Sequence, residues 1–328
     1  MSIAANSLLE SKQRVIRVIG RELLAKVRAK SENLGVDEER DAVHDFRVAL
    51  RRLRSWIRAF DDDLASTVRP KIIRRLKRIA DATRTSRDYE VHIEWLEHFA
   101  RSQRGKYRAA IAWLVDELQS RKAKADLELR ETVDKDLQRT ASQLAQGLSR
   151  YIVNLDEPSD PMAFDLAALI RDHAVAAASR IAKIESVGDR AEAHEARIAV
   201  KRLRYIIEPL SETIPGAESL VDDLSTLQDD LGALHDAQIF GSEIANHLAK
   251  VLAAATPVGR NGDDTEANDA GASANDRADA LRAISRRLHR EELTAFKSLG
   301  EIWLSGTTDD LWLRADSIAS ALESIRVS

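Results

Sequence analysis

Two segments of this 328-residue chain carry cations at a spacing that can grip an anion. The first, VHDFRVALRRLRSWI from Val43, holds His44, Arg47, Arg51 and Arg54. The second, AHEARIAVKRLRYII from Ala193, holds His194, Arg197, Lys201 and Arg204. They are offset by 150 residues and identical at seven of fifteen positions, with conservative matches at Asp45/Glu195, Val48/Ile198, Leu50/Val200 and Arg51/Lys201. A helical rotation of about 100° per residue puts His44, Arg47, Arg51, Arg54 and Arg58 within about 80° of arc. His194, Arg197, Lys201 and Arg204 share that arc in the second copy. The apolar residues Phe46, Leu50, Leu53, Trp56, Ile57 and Phe60 form a separate stripe beside the first row, and Arg52 and Arg202 point elsewhere. Glu208 stands where Arg58 stands, so the second row is one cation shorter.

Arginine is a good helix former, and a charged stripe is ordinarily a solvated face. Solvation does not require the same charges at the same helical phase twice. Asp45 and Glu195 lie off the rows, and no acid stands at i+4 within either row until Glu208. Two stripes of unpaired cations fit an anion site. Arginine suits oxyanions because its planar fork grips two oxygens. His44 and His194 would add a cation when protonated or orient the first arginine by a hydrogen bond. The former would strengthen binding at mildly acidic pH.

HDFRVALRRLR and HEARIAVKRLR resemble the two signature segments of the CHAD family, the histidine-containing α-helical domain. A second pair agrees: IADATRTSRD from Ile79 follows the first signature, and LQDDLGALHD from Leu227 follows the second. The Arg87-Asp88 and His235-Asp236 endings match the family's usual endings for that helix. The resemblance spans nearly the whole chain. It implies an all-α fold, two pseudo-symmetric antiparallel four-helix bundle halves in one domain over 1–328. It also implies binding of inorganic polyphosphate in a basic groove or pore, without catalysis.

Composition bounds these expectations. The chain has no cysteine, which excludes disulfides and thiolate metal sites and fits a reducing cytoplasm. No secretory signal opens the sequence, and no apolar run approaches the roughly 20 residues of a membrane span. The net charge of −4 hides an asymmetry. Residues 1–150 hold 32 Lys and Arg against 23 Asp and Glu, and residues 151–328 hold 18 against 31. A basic N-terminal half (1–155) joined to an acidic C-terminal half (162–328) can bind a polyanion locally and stay soluble overall.

Periodicity predicts a helix from about Ser7 to Asn33, stopped by Gly35. The acidic run Asp37–Asp41 favours the N-terminus of the first signature helix. Separate helices are expected over Ser66–Ser86 and Tyr89–Ser102, then a long one over Lys106–Val153. The segment LDEPSDP from Leu155 divides the halves. Phe164–Ser186, the second signature, Glu218–Leu234, Gly241–Ala255, Asp276–Leu304 and Asp309–Arg326 follow as helices. Residues 256–275, rich in Gly, Asn and Asp, read as a disordered loop. Arg121 and Lys124, three apart on the long helix, are a second tier of anion ligands, with Arg287 and Arg290 in the corresponding places of the second half.

Four functions compete. Polyphosphate binding ranks first, with His44, Arg47, Arg51, Arg54, His194, Arg197, Lys201 and Arg204 as principal ligands and polyphosphate granules as an expected location in the cytoplasm. Nucleic-acid or general polyanion binding ranks second, because aromatics are not interleaved with the cations. A metal site is disfavoured by the cations around His44 and His194. An enzyme acting on phosphate is disfavoured because no GxxxxGK[ST] loop or evident carboxylate cage occurs. No cofactor is expected.

Overall fold

The computed structural model describes residues 3–34, 42–150, 161–255, 264–304 and 308–325. It is all-α, with no strand longer than an isolated bridge among those residues. The first half contributes α1 (Lys12–Glu32), α2 (Ala42–Ala59), α3 (Pro70–Ala100) and α4 (Gly105–Ser149). The second contributes α5 (Met162–Ile181), α6 (Arg190–Ile207), α7 (Ala217–Ala255), α8 (Asp264–Leu299) and α9 (Thr308–Glu323). The first four helices run 21, 18, 31 and 45 residues, and the next four 20, 18, 39 and 36.

The two signature helices form for the same reason. In α2 the residues Phe46, Leu50, Leu53, Trp56 and Ile57 recur at helical spacing and are all buried. In α6 the buried stripe is Ala196, Ala199, Val200, Leu203, Ile206 and Ile207. Each fully buried Leu, Ile or Phe contributes about 1.5–3 kcal/mol. The Trp56 indole also donates to the Ile16 carbonyl at 3.0 Å, which fixes α2 on α1. The cationic rows flank these stripes and stay outside the core.

One continuous apolar cluster draws on both halves, from Leu8 and Phe46 through Leu203 and Leu231 to Leu322. Between the halves, α1 packs on α5, α2 on α6 and α4 on α8. The chain's start is stitched to the second half by backbone bonds, Ile3 N–H to Pro209 O (2.7 Å) and Met162 N–H to Glu10 O (3.0 Å).

A second, smaller core lies where the hairpins α3–α4 and α7–α8 meet. It is built from Ile93, Leu96, Ile111, Leu114, Phe240, Ile244, Leu281 and Ile284. The hairpin turn into α4 runs through Gly105 at φ 56°, a conformation glycine adopts without a Cβ penalty. Buried polar groups cross this junction. His92 of α3 stacks on Phe240 of α7 (centroids 4.1 Å apart), and its Nδ1 lies 2.7 Å from Glu243 Oε2. His247 Nε2 lies 3.8 Å from the other Glu243 oxygen. Burial opposes the charge on Glu243, but the imidazoles of His247 and His92 beside it outweigh that and hold the carboxyl down at about 2.

Several expected boundaries differ. The first helix is broken at Leu9–Ser11, where Ser11 bridges to Pro161. The expected breaks after Ser86 and Leu234 are absent, because α3 and α7 continue unbroken into the smaller core, whose packing rewards continuity. Helix α8 begins at Asp264, so the part of the expected loop 256–275 that lies beyond residue 263 is helical. Its alanines at 267, 270, 272 and 274 favour that state. Gly35, the acidic run 37–41, residues 155–160 of the dividing segment and residues 256–263 lie outside the described residues. No helix among the described residues is long and apolar enough to cross a membrane.

Candidate anion-binding site

The cationic rows of α2 and α6 face one another across the contact between the halves. Arg47 and Arg51 of α2, Arg84 of α3, and Arg197 and Lys201 of α6 lie close enough to repel one another electrostatically. Arg204 joins from the Arg51 side, and Arg54 extends the row past Arg84. Among the described residues, none of these seven side chains is ion-paired with a carboxylate. Burial first, and then the neighbouring cations, push Arg47, Arg51 and Arg54 below the ordinary guanidinium value. The same causes bring Lys201 down to about 7.

Tyr205 is buried between the halves. The Arg51 guanidinium lies over its ring at 5.4 Å and that of Arg204 at 4.9 Å, so one aromatic face spaces two cations from different helices. Arg204 Nη1 donates to Ser225 Oγ of α7 at 3.0 Å. A Cβ added at Gly232 of α7 would sit 3.5 Å from Arg197 Nε and Nη2, so the guanidinium lies directly against the bare helix backbone there. Arg51 Nε, Arg197 Nε, Arg204 Nε and His194 Nδ1 are buried without a hydrogen-bond partner among the described residues. Buried polar nitrogens are normally satisfied, and these four are not.

The histidines divide. His194 is half-buried, its ring centroid 4.8 Å from that of His235. Burial and Arg197 lower His194, and burial, Arg197 and His194 bring His235 down to about 4, so both are neutral near pH 7. His44, expected to head the first row in the same way, is exposed at the start of α2. Two carboxylates edge the cluster. Asp88 faces Arg47 and Arg84, and Asp236 faces Arg197 and Arg47. Burial raises both above the usual carboxylate range, against the pull of the cations.

The second-tier residues stand apart. Arg121 is bonded to Glu117 and lies 3.9 Å from Glu243, within the network of the smaller core. Lys124 is exposed on α4. Arg287 Nε donates to Glu291 at 2.6 Å, and Arg290 Nε reaches the Arg286 carbonyl at 3.4 Å. These last two line a cavity of about 340 Å³ with Asp230 and Glu291. Nearby acids give Arg121 and Arg287 partners, unlike the signature arginines. Arg58 is exposed beside Arg54 and Arg202. Arg52, expected off the row, bonds Glu208 of the second half, Nε to Oε2 at 3.3 Å with a shorter second contact.

Sequence reasoning passed over Arg84, Tyr205 and His235 as site residues. For Arg84 and His235 the signal was the paired segments IADATRTSRD and LQDDLGALHD, in which Arg84 aligns with Gly232 and Arg87 with His235. Tyr205 carries no such signal, because it stands where the first copy has Ser55.

An all-α protein with cations gathered from both halves against two pairs of matching segments is the class these observations define. The model of the CHAD domain matches residues 19–245, more than half of the chain, and the protein belongs to the CHAD family. Among solved structures it is similar to the CHAD domain of the plant Ricinus communis. That match has a TM-score of 0.65 at 17% identity and covers 99% of this chain and 95% of that one. It is also similar to PptA from Streptomyces chartreusis, with a TM-score of 0.57 at 15% identity, covering 88% of this chain and 99% of that one. At these identities the likeness is one of fold. No curated protein matches the sequence.

Proposed function

We propose that this protein binds inorganic polyphosphate, non-catalytically, in a basic groove formed by α2, α3 and α6. The observation that carries the reading is the cluster of Arg47, Arg51, Arg54, Arg84, Arg197, Lys201 and Arg204, drawn from both halves and free of carboxylate pairing among the described residues. A flexible chain with about one charge per phosphate neutralises such a cluster, and its oxygens accept from the buried guanidinium donors that lack partners. Release of counterions then makes the affinity fall steeply with salt. The family resemblance supports the same ligand. Binding on polyphosphate granules in the cytoplasm is the location this reading favours.

The site also lacks what nucleic-acid bases want. Tyr205 is buried under two arginines, so its face is unavailable for stacking. The test is competition at near-physiological salt between long-chain polyphosphate, single-stranded DNA of equal total charge, and orthophosphate. Strong preference for polyphosphate supports the reading. Equal competition by DNA makes the protein a general polyanion binder, and binding of neither returns the cationic rows to a solvated surface.

A further inference from the structure

Lys201 differs from every other cation in the cluster. It is a primary amine, half-buried, where the first copy has Arg51. It stands four residues after Arg197 and three before Arg204 on α6, which packs on α2, where Arg51 shares the Tyr205 ring with Arg204 at 5.4 and 4.9 Å. Arg47 of α2, Arg84 of α3 and His194 of its own helix are its further neighbours. From α7 it faces His235. The carboxylates nearest the cluster, Asp88 of α3 and Asp236 of α7, are directed at Arg47 and Arg197 rather than at Lys201. On α5, which packs behind α6, His173 lies against Arg202. An ammonium here is surrounded by like charge on three helices and, among the described residues, has no acid of its own. A guanidinium in such a place stays charged, because its intrinsic basicity is too high to yield; an amine yields.

We propose that polyphosphate binding is coupled to uptake of a proton by Lys201, so that the site completes its positive charge only when the anion arrives. This rests on the proposed polyphosphate site. The electrostatics agree with the geometry. Burial and Arg51, Arg197, Arg84 and Arg47 bring the amine down to about 7 in the empty site. Phosphate oxygens beside it reverse the sign of the local field and restore its ordinary basicity. The proton comes from solvent, and no covalent bond changes. The same field raises His194 and His235 toward their ordinary value, which leaves them neutral at pH 8.5, so the uptake measured there belongs to Lys201.

The experiment is titration calorimetry of the full chain with long-chain polyphosphate, whose interior phosphates are ionised throughout. It is run at each pH in two buffers of different ionisation heat, which counts protons taken up. The wild type is expected to take up about half a proton at pH 7 and close to one at pH 8.5, with affinity about tenfold weaker at pH 8.5 than at pH 7. Lys201→Arg, which places the first copy's residue at this position, is expected to bind with no uptake at pH 8.5 and with little change of affinity between pH 7 and 8.5. Lys201→Met is expected to bind more weakly, also without uptake. Binding of the wild type without proton uptake would overturn the coupling and leave the polyphosphate reading intact. Undiminished uptake in both variants would overturn the assignment to Lys201. No binding in any buffer would overturn the polyphosphate reading and this coupling with it. Far-ultraviolet circular dichroism of each variant separates misfolding from loss of charge.

Discussion

The first and second signature helices share a cationic row, and the structure uses the two rows differently. Around α2 the charge is fixed: Arg47, Arg51 and Arg54 are guanidiniums, and α3 adds Arg84. Around α6 the charge is adjustable. Lys201 replaces Arg51, the bare backbone at Gly232 replaces Arg84, and the neighbouring rings of His194 and His235 replace the exposed His44 and Arg87, whose side chain bonds Glu90. The first half supplies permanent cations, and the second adds, beside Arg197 and Arg204, groups whose protonation follows their surroundings. Repeating a segment thus gave two surfaces of the same phase and different chemistry.

The largest expected effect tests whether the two rows act as one site. Reversing both Arg51 and Lys201 to Glu should weaken polyphosphate binding by at least about 100-fold with helicity unchanged, measured by filter retention and circular dichroism. Arg52→Glu should change affinity by no more than about threefold. It should instead lower stability by about 1–2 kcal/mol in urea melts, because it breaks the pair with Glu208 and sets two acids together. Equal losses of binding in the two experiments would mean that bulk charge, and not the rows, holds the anion.

A smaller effect separates the third cation source from its counterpart. Arg84→Ala should weaken binding by about tenfold and reduce the salt dependence by about 0.7–0.9 in the log–log slope, the signature of one lost phosphate contact. Gly232→Ala should be nearly silent, since its methyl makes an ordinary contact with Arg197. Gly232→Leu should displace that guanidinium and cost about fivefold in affinity. Matching losses for Gly232→Ala and Arg84→Ala would erase the distinction between the halves.

Stability offers a third test. The folded-state value of Lys201 lies below its unfolded value of 10.5, so the unfolded chain binds more protons between about pH 7 and 10.5. Its contribution to unfolding free energy therefore rises with pH across that window. Lys201→Met should stabilise the empty protein at pH 7 by about 1–2 kcal/mol, discounted from the full shift because water reaches the amine. The gain should shrink toward pH 10 in denaturant titrations, and a constant gain would contradict the assignment. The smallest expected effect concerns the histidines. At pH 7, His44→Ala should leave affinity within about twofold, and His194→Ala should weaken it by about two- to threefold through loss of packing at His235.

The rows were legible because helical phase is a local property. Phe46, Leu50, Leu53 and Ile57 face the core as their spacing requires, and this fixes where Arg47, Arg51 and Arg54 point. What could not be read depends on distant contacts. Nothing near Arg121 in sequence shows that Glu243, 122 positions on, approaches it from α7. Arg84 is one of many cations on α3, and only the approach of α3 to α2 sets it beside Arg47. The continuity of α3 and α7 was missed for a related reason. A polar stretch resembles a helix end until the packing of a second hairpin, here through Ile93 and Phe240, is known.

The backbone stitch at the chain's start bears on synthesis by the ribosome. Ile3 bonds Pro209, and its carbonyl accepts from the Thr213 hydroxyl, a separation of 210 positions. Ile3 therefore finds these partners only after α6 has left the exit tunnel. Contacts of such sequence separation close late and slow folding. Deleting residues 1–8 should slow refolding less than it lowers stability, the pattern expected of contacts with so large a sequence separation, with both effects read from stopped-flow refolding and urea melts.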